Sequence, residues 1–378
     1  MKILSYGRQW INDDDIEAVV KVLKGDWLTM GPAVEAFEES LAEYAGVKHA
    51  VTFSSGTAAL HGAMHASGMA KGDYAATTAL TFVATSNSVI YTGAAPIFAD
   101  IDETFCMNPK EAERTIESHG GHVKAIIPVS FAGYPFDIEP FRKLADKYNA
   151  VLIEDASHAW GGDRANHKIG FDADMTTLSF HPVKHITTAE GGAVLTNNDE
   201  YARRLRMFRN HGTTRNPSEF VDEADGTWHS EMQELGYNYR LSEVHSALGL
   251  NQMKRLDEFV ERRRGIARLY FAQLSGVEGL TLPPDKPGHA WHLFIARVKE
   301  ELHGEFFAYL RDNDIRLQVH YRPVPLQPYY RKNYGYKAGD FPQAEKYYRQ
   351  AVSLPIFPLM TDDDVLRVCG VIKNFAWR

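Results

Sequence analysis

Apolar positions near the start of the chain recur at helical spacing. Ile16, Val19, Val20 and Leu23 form a stripe behind Asn12 and Asp13, either of which can cap, and Gly25 follows. Residues 13–24 therefore read as a helix. A second helix, 32–44, opens on Pro32 and stops before Gly46. Beyond it the apolar runs shorten and alternate with amphipathic stretches. Strands are expected at 49–53, 95–100, 124–129, 151–154, 175–180 and 193–196, and helices at 57–66, 109–118 and 138–148. Short apolar runs between amphipathic helices indicate a mostly parallel sheet covered on both faces.

After Leu241 the pattern changes. Residues 242–274 read as one long helix, with Arg262-Arg263-Arg264 as its solvated face. Pro283-Pro284-Asp285-Lys286-Pro287-Gly288 breaks the chain. A strand at 292–298 and helices at 304–313 and 343–351 follow. The expected fold is α/β, with a large sheet domain over 1–250 and a smaller C-terminal α/β domain over 251–378.

Composition narrows the function. With 44% hydrophobic and 24% charged residues, the chain can bury a core without staples. Its net charge of −8 and the lack of a basic run argue against nucleic acid as a partner. Cys106 and Cys369 lie too far apart in sequence for a metal or redox motif and suit a reducing compartment. The start carries too few apolar residues for a signal peptide, and no run is long enough to span a membrane. A cytoplasmic location, with no membrane partner, is the expectation.

Four short stretches carry candidate chemistry. Ser54-Ser55-Gly56-Thr57 joins a strand to a helix, where free N–H groups and hydroxyls make an anion site, or simply an N-cap. It lacks the longer Gly-rich Lys-Ser/Thr pattern of nucleotide triphosphate loops. Glu154-Asp155-Ala156-Ser157-His158 ends a buried strand, the position where open parallel sheets bind ligands. An acid buried there needs a cationic partner or backbone donors. Phe82, in Thr81-Phe82-Val83, offers an aromatic plate or a core side chain. Lys184 follows Phe180-His181-Pro182-Val183 and precedes a Gly-Gly turn. There it is either a desolvated nucleophile or a surface lysine. Together, a phosphate nest, a plate, a strand-end aspartate and a lysine are the parts pyridoxal phosphate requires.

At these residues the chain resembles the DegT/DnrJ/EryC1/StrS aminotransferases of nucleotide sugars. The likeness runs from Tyr6 to about Pro358. It includes Gly31-Pro32, Ser55 to Leu60, Thr81 to Thr85, Pro96 to Asp102, Glu154-Asp155-Ala156, the lysine run, and Leu235-Gly236-Tyr237-Asn238-Tyr239-Arg240-Leu241. Phe180 to Lys184, Trp228 to Tyr239 and His320-Tyr321-Arg322-Pro323-Val324-Pro325 are most similar to the pseudaminic-acid branch. Ala189 stands where that branch carries glycine or leucine, and Tyr74-Ala75-Ala76 replaces an acidic-then-apolar strand start.

The resemblance implies the aspartate-aminotransferase-like fold (fold type I), with a large, mostly parallel seven-stranded sheet domain and a smaller C-terminal domain. It implies pyridoxal 5'-phosphate as cofactor, L-glutamate as donor and a UDP-linked 4-keto-6-deoxy-N-acetylhexosamine as acceptor. Lys184 would carry the cofactor and move the proton, Asp155 would pair with the pyridinium, and His158 would lie near the phenolic oxygen. Phe82 would stack on the ring, while Gly56, Thr57 and Ser179 would hold the phosphate. Asn238 would reach the phosphate of a neighbouring subunit, so a homodimer with a shared site is expected. Tyr6, Trp27, Thr29, Glu190, His320 and Tyr321 are the candidates for the sugar nucleotide.

Other readings compete. A UDP-4-keto-pentose or a dTDP-linked keto hexose would suit the same machinery. A sugar dehydratase of this fold would carry histidine at the position of Lys184. His61 with His65, and His181 with His185, have the i, i+4 spacing of metal ligands, but the first pair has no third ligand nearby in sequence and the second is interrupted by Pro182. No metal is therefore expected. A non-catalytic regulator on the same fold would have no use for Lys184 and Asp155 together.

Overall fold

The computed structural model describes residues 3–377. Seven strands form the main sheet: β1 (His49–Phe53), β2 (Tyr74–Thr78), β3 (Ala95–Ala99), β4 (Ala125–Ile127), β5 (Val151–Asp155), β6 (Met175–Ser179) and β7 (Gly192–Thr196). Their order is β1-β7-β6-β5-β4-β2-β3, and only β7 runs against its neighbours. The mostly parallel, seven-stranded sheet implied by the family resemblance is present, β2 being the strand that the apolar pattern alone did not give.

Alternation along the strands assigns the faces, because successive side chains point to opposite sides. Ala75, Ala125, Ile127 and Val194 pack with α3 (Gly56–Ala66), α4 (Ala84–Tyr91) and α7 (Asp199–Phe208). Ala76 and Ile126 face the other way, onto α5 (Pro109–Ser118) and α6 (Glu139–Tyr148). On that same side Ala193 and Leu195 meet α2 (Pro32–Ala45), α8 (Glu243–Met253) and the start of α9 (Leu256–Leu274). Burial on both faces explains why these strands read as continuous apolar runs.

The C-terminal part builds a second core. The strands β8 (Leu280–Thr281), β9 (Phe294–Val298) and β10 (Ala351–Leu354) form an antiparallel sheet. Phe294 and Ala296 pack there with α9, α10 (His303–Asp312) and α13 (Asp362–Lys373). Leu293 and Ile295, of opposite parity, pack instead into the core of the main sheet. So do Tyr330 of α11 (Pro328–Tyr334) and Tyr347 of α12 (Pro342–Gln350).

Three expectations change. The helix read as continuous over 242–274 is two helices. Arg255 leaves helical geometry (φ −115°, ψ 6°), and its guanidinium meets Asp15 at 2.5 Å. Asp15 is buried in α1 (Asp13–Leu23), so an ion pair between helices outweighs helical continuity. Within the arginine triplet, Arg263 is buried rather than solvated. The apolar stripe of α1 is not covered either, with Ile16, Val20 and Leu23 exposed because the helix docks through Asp15. No helix among the described residues is long and apolar enough to cross a membrane.

Beneath the carboxyl end of β5 lies a buried ion pair. Arg164 holds both Glu154 oxygens, at 2.6 and 3.2 Å, and donates to the Phe136 carbonyl at 2.9 Å. Glu154 is fully buried. Removing one partner strands the other charge in the core. Arg164→Met is expected to lower unfolding free energy by about 3 kcal/mol in urea titration. A loss below about 1 kcal/mol would show that the pair is not structural.

Candidate active site

Parallel strands deliver their carboxyl ends to one edge of the sheet, and the candidate residues gather there. β1 ends at Phe53, and the Ser54 N–H is taken by the Tyr239 carbonyl at 2.7 Å. Ser55 then caps α3 in extended geometry, its Oγ accepting from the Ala58 N–H at 3.1 Å. The N–H groups of Gly56 and Thr57, in the first helical turn, have no intrahelical acceptor.

Two glycines allow this turn to close. A Cβ on Gly56 would lie 2.8 Å from that of Ser179, at the end of β6. A Cβ on Gly192, which pairs with both Phe53 and Ser179, would lie 2.7 Å from the Gly56 Cα. The cradle is thus three backbones in near contact, with Ser179 at its rim.

Asp155 ends β5 and is 4% exposed. Its Oδ2 accepts from the Thr85 hydroxyl at 2.7 Å, and its Oδ1 from the Ser157 N–H at 3.1 Å. Thr81 lies 2.9 Å behind Thr85, hydroxyl to hydroxyl. The carboxylate is therefore fixed in orientation.

His158 follows one turn later. Its Nδ1 accepts the Ala132 N–H at 3.3 Å, which leaves the proton on Nε2, 3.4 Å from the Tyr321 hydroxyl. Burial holds the His158 pKa far down, and the Lys184 amine adds to the effect, so the ring is neutral. Burial pushes the Tyr321 phenol up and keeps it protonated. Phe82 is not a core residue. It is 53% exposed, with its ring 5.7 Å from that of Tyr321.

Lys184 arrives on the excursion from β6 to β7. Phe180 and Gly191 close its base at 2.9 Å, and Lys184 N–H bonds the His181 carbonyl in a tight turn at 2.9 Å. Ala189 takes positive φ (66°), the conformation in which glycine is unstrained, and its N–H is held by the Thr187 hydroxyl at 2.9 Å. Burial lowers the Lys184 amine to about 8, Asp155 opposing and Arg263 assisting.

These groups line one cavity of about 430 Å³. It brings together Tyr6, Gly56, Thr57, Phe82, Asp155, His158, Ser179, Lys184, Glu190, His320 and Tyr321. His320 is held by Ser353 at 2.8 Å, and burial lowers its pKa to about 4. Trp27, Thr29 and Asn238 do not join them. All three are exposed, Thr29 bridging Ser242 and Asn238 bridging Asn210. The tie from Ser54 to the Tyr239 carbonyl leaves Asn238 outside the cavity of its own chain.

Sequence reasoning gave no role to Thr85, Ser157, His292 or Arg263. Thr85 lies within a stretch singled out for other reasons, four residues after Thr81. Ser157 lies within the stretch from Glu154 to His158 and Arg263 within the arginine triplet, while His292 carries no local signal. Of the histidine pairs, His61 sits among Tyr91, Phe208, Tyr237 and Tyr239, while His65 pairs with Glu234 at 3.0 Å. His181 lies exposed at the cavity mouth, whereas His185 is buried against the Ala290 carbonyl at 2.9 Å.

The donor set suits pyridoxal phosphate. A glycine-closed helix start is suited to a phosphate, a fixed carboxylate to a protonated ring nitrogen, and an amine of lowered proton affinity to an aldehyde. Comparison with known proteins agrees. SpsC, a spore coat polysaccharide biosynthesis protein of Bacillus subtilis, is 37% identical over 381 residues, spanning 99% of this chain and 97% of SpsC. Helicobacter pylori PseC, an aminotransferase involved in the biosynthesis of pseudoaminic acid, has a TM-score of 0.90 at 30% identity over 98% of each chain. Spr1654 of Streptococcus pneumoniae, solved in its PMP form, gives 0.91 at 26% identity, again over 98% of each. The model of one family matches residues 9–373, and the chain belongs to it: the DegT/DnrJ/EryC1/StrS aminotransferase family.

Proposed function

We propose that this chain is a pyridoxal-phosphate-dependent sugar aminotransferase. It moves the amino group of L-glutamate to C4 of a UDP-linked 4-keto-6-deoxy-N-acetylhexosamine, as in pseudaminic acid biosynthesis. The observation that carries the reading is Lys184: an amine lowered to about 8, in one cavity with a strand-end carboxylate and an anion-binding helix start. The likeness to PseC supports the substrate class. A second reading is another 4-keto sugar nucleotide such as a UDP-4-keto-pentose or a dTDP-linked hexose: SpsC, 37% identical, is named for spore coat polysaccharide and not for pseudaminic acid.

When bound, pyridoxal phosphate supplies an electron sink beside the carbon that gains or loses the amino group. The chain's own residues do the rest. Gly56, Thr57 and Ser179 would hold the phosphate, and Asp155, steadied by Thr85 and Ser157, would hold the ring N–H. Phe82 would cover the ring, and His158 would stand near the phenolic oxygen. Neutral Lys184 takes the proton from Cα of the donor and returns it to C4 of the sugar from a single side. Tyr6, His320, Tyr321 and Glu190 form the sugar side of the cavity.

A homodimer with a shared site belongs to the same reading. Among the described residues Lys184 is the only lysine or arginine lining the cavity, too little charge for a sugar diphosphate and a dicarboxylate. Arg206, Arg209, Arg215 and Arg240 line a separate cleft of about 770 Å³, whose Asn210 bridges Asn238. Ile16, Val20, Leu23, Trp27, Leu28 and Met30 are exposed in the single chain, an apolar surface that a second copy would cover. In this arrangement Asn238 serves the partner's phosphate, and Trp27 and Thr29 stand beside the partner's site. The division into domains at about residue 250 is also part of the proposal, supported by the separate core around α9, α10 and α13.

Three outcomes test it. Lys184→Ala should reduce glutamate-dependent amination of the keto sugar at least about thousandfold, read by mass spectrometry of the product from UDP- and dTDP-linked candidates. Turnover near the normal rate would sink the mechanism. Because the neutral amine is the active form, the amination rate should fall about tenfold per pH unit below the Lys184 value of about 8 and level off above it. A flat profile across that range would contradict the proton-transfer role. For the dimer, mixing inactive Lys184→Ala with Asn238→Ala should restore part of the activity, since one site of each hybrid is intact. No recovery after subunit exchange would place Asn238 in its own chain's site.

A further inference from the structure

The arginine triplet on α9 contains one residue unlike its neighbours. Arg262 reaches Asp362 and the Met360 carbonyl, and Arg264 reaches Asp163 and the His289 carbonyl. Each has a carboxylate. Arg263, 1% exposed, has none among the described residues, and its Nε is without a partner. Its fork meets backbone carbonyls instead. Nη1 donates to Ile356 at 2.8 Å and to Trp291 and His292 at 3.3 Å, and Nη2 donates to Val183 at 3.4 Å.

A buried cation without a counter-ion is expensive, and neutral donors could serve carbonyls at less cost. What distinguishes this position is the segments it joins. Val183 immediately precedes Lys184, and His292 lines the cavity. The N–H of Ile356 donates to the Tyr6 carbonyl at 3.0 Å, so a third cavity segment hangs on the same fork.

The charge environment of Lys184 is one-sided. Asp155 faces it from the end of β5 and favours its protonated form. His158, from the loop after β5, is held neutral by burial, as are His185 on the lysine loop, His292 before β9 and His320 before Tyr321. His181 is also lowered by burial, with Glu190 pulling the other way at the exposed mouth. Tyr6 and Tyr321 are raised by burial and stay uncharged. Burial brings Arg263 itself down to about 9, which leaves it charged at neutral pH. Among the described residues it is thus the one cation set against Asp155.

We propose that Arg263 is a positioning residue for Lys184: its fork anchors the carbonyl just before the lysine, and its uncompensated charge biases the amine toward the neutral, nucleophilic form. The proposal rests on Lys184 being the reactive amine. That reading has its own test, borohydride trapping of the cofactor on Lys184, and fails separately if another residue is trapped.

The charge is tested by trace acetic-anhydride labelling of the full-length protein across pH. Excess glutamate frees the Lys184 amine, its peptide is quantified by mass spectrometry, and exposed lysines serve as the internal standard. In Arg263→Gln the midpoint for Lys184 should rise by about one pH unit, and in Arg263→Lys it should stay near the wild-type value. A single ammonium cannot span all four carbonyls, so in Arg263→Lys hydrogen exchange at the amides of residues 183–186 should quicken at least about fivefold. An unchanged midpoint in folded Arg263→Gln overturns the proposal. If that variant does not fold, unchanged exchange in Arg263→Lys overturns it instead.

Discussion

The structure turns on keeping water away from one amine. An ammonium group in solution is no nucleophile, and a lysine gives up its proton near neutrality only where the charged form is poorly solvated. Every group around Lys184 is consistent with that constraint. The neighbouring imidazoles are neutral, the two phenols stay protonated, and Asp155, the carboxylate that acts on the amine, is pinned by a hydroxyl and an amide, while Glu190 lies at the mouth beside His181. A second carboxylate close to the amine would raise its affinity for the proton and remove the effect.

The sheet makes this enclosure possible. Six strands point the same way, so the ends of β1, β5 and β6 bring a helix start, an aspartate and a serine to one edge without long loops. β7, reversed, begins where β6 stops, and the chain between them has to pass over that edge. Lys184 lies on this passage. The near contact of Gly56, Gly192 and Ser179 sets how tightly the three segments close.

Much of this was legible in the sequence, and for a reason. Asp155, Gly56, Thr57, Phe82 and Lys184 all sit at boundaries between elements, where hydrophobic periodicity stops and polar residues stand out. The parallel sheet was legible because strands buried on both faces leave unbroken apolar runs. What escaped was set by distant partners. Arg263 sits in a charged triplet that looks solvated, and only the fold places carbonyls from three other segments around it. The kink at Arg255 depends on Asp15, some 240 positions away. The stripe on α1 has the periodicity of a core face, yet α1 docks through a polar residue and leaves that stripe outward. Trp27 and Thr29, expected beside the sugar nucleotide, lie outside the cavity of their own chain, and nothing in their local sequence marks that, whereas Asn238 was expected to lie outside it.

The closed base of the lysine passage has an evolutionary consequence. Bonds between Phe180 and both Gly191 and Thr188 tie the segment off before it begins, so the sheet registers on either side do not depend on what lies within. The segment is a cassette. Its cavity-facing residues can be exchanged, and the reaction with them, while buried His185 and Ile186 keep the segment seated and the strands stay paired. A scaffold of this kind can diversify its chemistry by altering about a dozen positions, with no need to find a new way to fold.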